Sequence, residues 1–292
     1  MPLRDPAGND TAQADEQRAL RRGTKLGDGG CSEDDGPGRD RLAFVHVPKT
    51  AGTSVSAALA RHYGAHTLPA MTTLDYQLYD DTDLVKYRFY KGHAYRRDYE
   101  RLPADTVLFT ILRDPVRRAL SYYAYARGLD ESGIDDPFIL EASQLAKNVS
   151  PVEFIYSESP FVIEHLRLGQ MRQFLPDDRL AEIGHRLHLT RAVQQAAVDD
   201  FCSEIRGFAY VLTVECLDLS FPLMIRALGL PHSTMALGRE NVSAPVDGVN
   251  TADLRRALMD VSAVEFDCYA YVRRREQAWL TQLLSPLLRA GK

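Results

Sequence analysis

Apolar residues along this chain fall into two kinds of run. Leu42-Ala43-Phe44-Val45-His46-Val47 is nearly continuous, the pattern of a strand buried on both faces of a parallel sheet. Pro48 ends it. Similar runs predict a second strand at Tyr87–Tyr90, ending at Lys91-Gly92-His93, and a third at Thr106–Leu112, stopping at Arg113-Asp114-Pro115. A fourth follows at Ala209–Val214. Between them apolar positions recur at helical spacing. Thr53 to Tyr63 places Val55, Leu59 and His62 on one face, and about Asp218 to Leu228 forms another helix. Pro115 suits the first turn of a helix reaching about Arg127, where its missing N–H loses nothing. Pro137 to Ile205 is helical, with polar breaks near Ser157–Pro160 and Leu175–Asp178, and reads as an insertion of several helices on the same domain. Thr251 to Leu288 holds two helices. The second, about Val264 to Leu284, carries Phe266, Tyr269, Val272 and Leu280 or Leu283 at helical spacing and is expected to pack on the sheet. Strands separated by helices predict an α/β fold of three layers, α/β/α, around a central parallel sheet.

The first forty residues differ. Met1 to Asp40 has no aromatic residue and no periodic apolar face, and is rich in Gly, Asp, Glu and Arg. Such a segment buries too little apolar surface to offset about 1–2 kcal/mol of backbone ordering per residue. A disordered tail over 1–40 and one domain over 41–292 is the expectation. The net charge is −5, of which the tail's six basic and nine acidic residues carry −3. That balance argues against broad nucleic-acid binding, while leaving room for a local basic pocket. The four cysteines are scattered and form no C-x-x-C pair, so neither a disulfide framework nor a zinc ribbon is suggested. No run approaches the roughly 18–20 apolar residues of a membrane span, and the N-terminus lacks a signal-peptide core. A soluble, cytoplasmic protein is expected. The sequence says nothing of its oligomeric state.

Two turns carry candidate chemistry. His46-Val47-Pro48-Lys49-Thr50-Ala51-Gly52-Thr53-Ser54 lies between a buried strand and a helix, where open α/β sheets bind ligands. Its glycine lets backbone N–H groups converge, and the helix N-terminus offers unpaired donors and about half a positive charge. Thr53 and Ser54 add hydroxyls, and Lys49 adds a cation. The bland alternative is an ordinary turn whose Thr or Ser caps the helix. The motif is not G-x-x-x-x-G-K-[ST]: Lys49 precedes Gly52 by three residues, which weakens a kinase-like, nucleoside-triphosphate reading. The second turn, Arg113-Asp114-Pro115-Val116-Arg117-Arg118 through Ser121-Tyr122-Tyr123, follows the strongest strand. Arg113 can grip a phosphate in bidentate fashion, and Ser121 can complete the coordination. Asp114 is placed to cap the helix. Arg117 and Arg118 are expected to face solvent or the pocket rim. Two anion-binding turns after two strands suit a ligand with two separate phosphate-type groups.

These stretches resemble the signature elements of sulfotransferases that use 3′-phosphoadenosine 5′-phosphosulfate (PAPS), and more closely the carbohydrate branch that includes heparan sulfate 2-O-sulfotransferase. Phe44 through Ser54 resembles the 5′-phosphosulfate loop, and Phe109 through Val116, continuing to Ser121, the 3′-phosphate motif. Lys91-Gly92-His93 resembles the segment carrying the acceptor-side histidine. The likeness is close over about Leu42 to Arg127. It is loose beyond, in the unit around Glu215 and in Arg239-Glu240-Asn241-Val242-Ser243.

The resemblance implies a sulfotransferase fold of the P-loop-NTPase-like kind, PAPS as donor, no metal, and a hydroxyl-bearing acceptor, a saccharide among the candidates. It implies that Lys49 binds the 5′-phosphosulfate and stabilises the leaving phosphate. Thr50, Ala51, Gly52, Thr53 and Ser54 would supply the cradle, with Arg113 and Ser121 on the 3′-phosphate. His93 would be the general base, an imidazole suiting proton transfer near neutral pH. Where the closest uronosyl enzymes have a second histidine, this chain has Tyr95. His46 is expected to be structural. Arg88, Arg96, Arg97 and Arg101 could attract an acidic saccharide or form a solvated basic surface paired with Asp98 and Glu100. The competing functions are a nucleoside-triphosphate phosphotransferase and a non-catalytic nucleotide-binding module.

Overall fold

The computed structural model of the chain describes residues 41–69, 72–184, 188–231, 237–238 and 248–290. The segment Met1–Asp40, His185, His232 and Arg239–Ser243 lie outside these residues. Four parallel strands, β1 (Leu42–Val45), β2 (Phe89–Gly92), β3 (Val107–Leu112) and β4 (Tyr210–Thr213), form a sheet in the order β2-β1-β3-β4. Leu42 stands opposite Phe89 on one side and Val107 on the other, and Phe109 stands opposite Tyr210. β1 stops two residues short of its apolar run. The N–H of His46 still donates to the carbonyl of Gly92 at 2.9 Å, but Pro48, with no N–H, cannot continue the ladder. β2 begins later than its apolar run and ends at Gly92, because Lys91 and Gly92 find partners in Phe44 and Val45.

Alternation along each strand sorts side chains into two layers. Leu42 and Phe44 join Phe89, Phe109, Ile111 and Leu212 under α1 (Gly52–Tyr63) and a later helix, Leu217–Ala227. Ala43 and Val45 face the other way. They join Tyr90, Leu112 and Val211 beneath Arg191–Arg206 and the far half of Thr251–Ala290. The three-layer α/β/α arrangement is therefore present, with both faces of the sheet covered. A third cluster lies away from the sheet. There α2 (Pro115–Arg127) packs on Pro137–Asn148, Pro151–Tyr156 and the near half of Thr251–Ala290.

The two C-terminal helices anticipated from the sequence run on from one another across a kink. Ser262 has non-helical φ −152° and ψ 42°, and its hydroxyl donates to the carbonyl of Arg167. The kink lets one half serve the helical cluster and the other the sheet. Of the apolar positions expected on the second half, Val272 and Leu280 are buried, Phe266 and Tyr269 partly so, and Leu283 is exposed.

The chain leaves β1 for β2 on one side and then places β3 on the other. Strand order thus reverses between β1 and β3, and the crevice at their carboxyl ends is where such sheets bind ligands. The Lys49 turn and Arg113 flank that crevice.

Candidate active site

The turn after β1 is built from unusual backbone. Lys49 (φ 69°) and Ala51 (φ 65°) both adopt the left-handed region without being glycine. Each such residue costs on the order of 1 kcal/mol or more and persists only where its surroundings enforce it. Thr50 between them is fully buried, and its hydroxyl donates to the carbonyl of Val47 at 2.7 Å, tying the turn shut. The hydroxyl of Thr50 therefore points into the protein, and its backbone is what the cradle can use. Ala51 is the N-cap of α1 and supplies no side-chain cap; the bland alternative of a Thr or Ser cap does not hold. Among the described residues, the backbone N–H groups of Thr50, Ala51, Gly52 and Thr53 meet no acceptor. Unsatisfied donors at the start of a twelve-residue helix give this turn a positively polarised end, the arrangement that favours an anion.

Lys49 reaches across the crevice, with its Nζ 4.0 Å from the ring centroid of Tyr125 on α2. A cation–π contact of this kind holds an ammonium without neutralising it. Gly52 is required by its neighbour. A Cβ there would fall 1.8 Å from Nε2 of His46, so the imidazole of His46 packs edge-on against the loop.

Arg113 emerges where β3 ends. Its Nη1 donates to the carbonyl of Lys49 at 3.2 Å, joining the two turns directly. Its Nε is buried and meets no acceptor among the described residues, a donor that a bound anion would satisfy. Burial disfavours the guanidinium's charge, and the carboxylate of Glu215 offsets part of that. Glu215 is itself held: it accepts from the N–H of Asp114 at 3.2 Å and from the hydroxyl of Tyr269 at 2.7 Å. Asp114 caps α2 as expected, accepting from the N–H of Arg117 at 3.0 Å. Ser121 sits half-buried on α2, two turns beyond Arg113.

Arg118 does not face solvent or the pocket rim. It is fully buried and donates to the carbonyls of His165 and Leu166 at 2.9 and 2.8 Å, 3.5 Å from the carboxylate of Glu265. The inserted helices cover this side of α2, and the buried charge is offset by the acceptors that Nη1 and Nη2 find, while Nε meets none among the described residues.

On the other side of β1, His93 follows the end of β2. Its Nδ1 lies 2.8 Å from the carbonyl of His46. A carbonyl only accepts, so Nδ1 carries the proton and the lone pair of a neutral ring falls on Nε2. The ring also tilts against that of His46, with centroids 4.3 Å apart. His46 is buried and stacks on Phe44 at 5.1 Å. Burial first, then His93, Lys91 and Lys49, holds its pKa well below the ordinary histidine value, so it is neutral. Its place is structural in kind but central: it links the Lys49 turn to His93.

Past His93, Tyr95 stacks beneath two guanidinium groups, those of Arg97 at 4.7 Å and Arg172 at 5.7 Å. Arg172 pairs with Glu164 at 2.7 Å and donates to Nε2 of His165 at 3.0 Å. Three of the flanking basic residues pair with carboxylates. Arg97 pairs with Asp177 at 2.8 Å and Arg101 with Asp81 at 2.9 Å, while Arg96 lies 3.8 Å from Glu100. Asp98 instead accepts from the hydroxyl of Thr73 and the N–H of Tyr95.

Sequence reading missed Tyr125, Arg172 and the inserted glutamines Gln170 and Gln173. Tyr125 was legible in principle, lying on the helix that Pro115 opens. The glutamines belong to a turn whose position nothing local announces. Among the described residues no three His, Cys, Asp or Glu side chains converge as metal ligands would, and no helix is long and apolar enough to cross a membrane.

Residues 37–132 match the sulfotransferase family. That segment carries Lys49, His93, Arg113 and Ser121. No curated protein matches the chain. Among solved structures it is similar to a sulfotransferase from Alicyclobacillus acidocaldarius, at 14% identity and a TM-score of 0.40, covering 81% of this chain and 97% of that one.

Proposed function

We propose that the protein is a sulfotransferase moving a sulfuryl group from PAPS to an acceptor hydroxyl. The observation that carries this reading is the meeting of two anion-binding turns at the β1/β3 crevice, with Arg113 bonded to the backbone of Lys49 at 3.2 Å and a histidine beside them. The family match over 37–132 supports the same chemistry.

The donor set fits a nucleotide with a 5′-phosphosulfate and a 3′-phosphate. The N–H groups of Thr50 to Thr53 and the ammonium of Lys49 would take the first, with Ser54 beside them at the start of α1. The buried Nε of Arg113 and the hydroxyl of Ser121 would take the second. As the acceptor oxygen bonds to sulfur, the bond from sulfur to the bridging oxygen of the phosphosulfate breaks, and negative charge grows on that oxygen. Lys49 and the helix N-terminus stabilise it where it develops. Nε2 of His93 takes the acceptor's proton, its tautomer set by the bond from Nδ1 to His46. The motifs' likeness to the carbohydrate branch makes saccharide hydroxyls the first acceptors to test.

Calorimetric titration with adenosine 3′,5′-bisphosphate and with ATP–Mg²⁺ separates this reading from a phosphotransferase. The bisphosphate is expected to bind at least tenfold more tightly. Preference for ATP–Mg²⁺ would overturn it.

A further inference from the structure

Where β3 ends, the backbone of Arg113 loses its ladder partners: the pairing with β4 runs only to Leu112 opposite Thr213. One side chain replaces them. Gln170, 1% exposed, accepts the N–H of Arg113 at Oε1 (2.7 Å) and donates from Nε2 to the carbonyl of Arg113 (2.8 Å). The primary amide thus imitates a neighbouring strand for one residue. Gln170 is in turn fixed through its own N–H, which donates to Glu265 at 2.6 Å. Glu265 is buried against Arg118, and burial raises its pKa, opposed by Arg118 and the bonds from Gln170. No side chain larger than hydrogen fits at the preceding position: a Cβ on Gly169 would lie 1.9 Å from Nη2 of Arg118 and 2.2 Å from Oε1 of Glu265. Three residues on, Nε2 of Gln173 approaches the carbonyl of His46 at 3.4 Å, the oxygen that orients His93.

We infer that Gln170 is a positioning residue for the nucleotide. By gripping both backbone polar groups of Arg113, it aims the guanidinium across the crevice and so sets the preference for a ligand bearing a 3′-phosphate. The inference rests on the PAPS reading above. A guanidinium displaced by even 1 Å loses the geometry of a charge-assisted contact. The expected effect is therefore close to that of removing Arg113, about tenfold or more in the 3′-phosphate-dependent part of affinity.

The test compares binding of adenosine 3′,5′-bisphosphate and adenosine 5′-monophosphate to the full chain, with thermal melting alongside. Two variants are used. Gln170→Met removes both hydrogen bonds, and Gln170→Glu keeps the shape while turning an anionic oxygen toward the carbonyl of Arg113. Both are expected to cut the preference for the bisphosphate about tenfold while leaving binding of the monophosphate within about twofold. Placed on Arg113→Ala, Gln170→Met is expected to add nothing. Equal loss for both nucleotides, an undiminished preference, additive losses on Arg113→Ala, or loss of the fold in both variants would each overturn the assignment. A wild-type protein that binds the two nucleotides equally would instead overturn the PAPS reading, before any variant is made.

Discussion

Gly52→Ala isolates the contact between the Lys49 turn and the histidine pair. Gly52 is the first residue of α1, where alanine would ordinarily favour the helix by up to about 1 kcal/mol. The added Cβ would fall 1.8 Å from Nε2, 1.9 Å from Cδ2 and 2.4 Å from Cε1 of His46. All three distances are far below contact, so the ring must move. It has little room, being 7% exposed and packed against Phe44 and His93. Overpacking of a filled site costs about 1–3 kcal/mol. The clash therefore outweighs the helix preference, and a drop of roughly 3–10 °C in Tm is expected. The displaced ring also presses on His93, so turnover is expected to fall with stability. The decisive arm is the double variant. In a His46→Ala background the obstruction is gone, and Gly52→Ala is expected to be neutral or stabilising, with a coupling of about 1–3 kcal/mol by urea unfolding. A Gly52→Ala protein that melts higher than wild type, or one whose loss is the same in the His46→Ala background, would refute this geometry.

Lys49→Ala is expected to abolish turnover while weakening binding of adenosine 3′,5′-bisphosphate only partly, because its charge is needed most as the leaving oxygen becomes anionic; a near-normal kcat would remove it from this role. His93→Ala is expected to lower kcat by roughly 10²–10⁴-fold, with nucleotide affinity within a few-fold, and an unchanged kcat in a folded variant would transfer the base to another group. Stability should depend on pH through the buried histidines. Both His46 and His165 have pKa values pushed well below 6.5 by burial, so below about pH 6.5 the unfolded chain binds protons that the folded one does not. Stability then falls as pH drops, by about 1.4 kcal/mol per pH unit for each histidine once the unfolded form is protonated. Glu265, raised above 4.5 by burial, acts in the opposite sense as pH rises above that value. His165→Asn keeps a donor near the carbonyl of Phe161, the partner of Nδ1 at 3.0 Å, and should flatten the acid limb by about one proton in urea unfolding between pH 5 and 7.5. An unaltered slope would contradict the assignment.

The sheet was legible because each strand is buried on both faces and so reads as a short continuous apolar run. The ends were less so. β2 extends through Lys91 and Gly92 because β1 lies alongside, a long-range fact that local polarity hides. The two strand-to-helix turns were legible because each follows a strand and opens a helix, and Pro115 marks one of those helices directly. What stayed hidden was what holds them. Arg118 reads as a surface arginine in an Arg-Arg pair, yet inserted helices bury it. Gln170 gives no local signal at all; its role exists only because Arg113 runs past the last rung of the β3–β4 ladder. His46 was read correctly as buried, but its contact with Gly52 depends on the turn's two left-handed residues, which no sequence rule assigns to lysine and alanine.

Sulfuryl transfer from PAPS at the β1/β3 crevice, as proposed, predicts a specific pair of products. The most direct measurement incubates the protein with PAPS and a panel of saccharide, lipid and small hydroxyl acceptors, and follows by mass spectrometry both adenosine 3′,5′-bisphosphate and sulfated product. The expected result is an acceptor-dependent, stoichiometric gain of both, absent in Lys49→Ala and strongly reduced in His93→Ala. Acceptor sulfation that persists at the wild-type rate in Lys49→Ala, or phosphorylated acceptor formed from ATP–Mg²⁺ with none sulfated from PAPS, would contradict it.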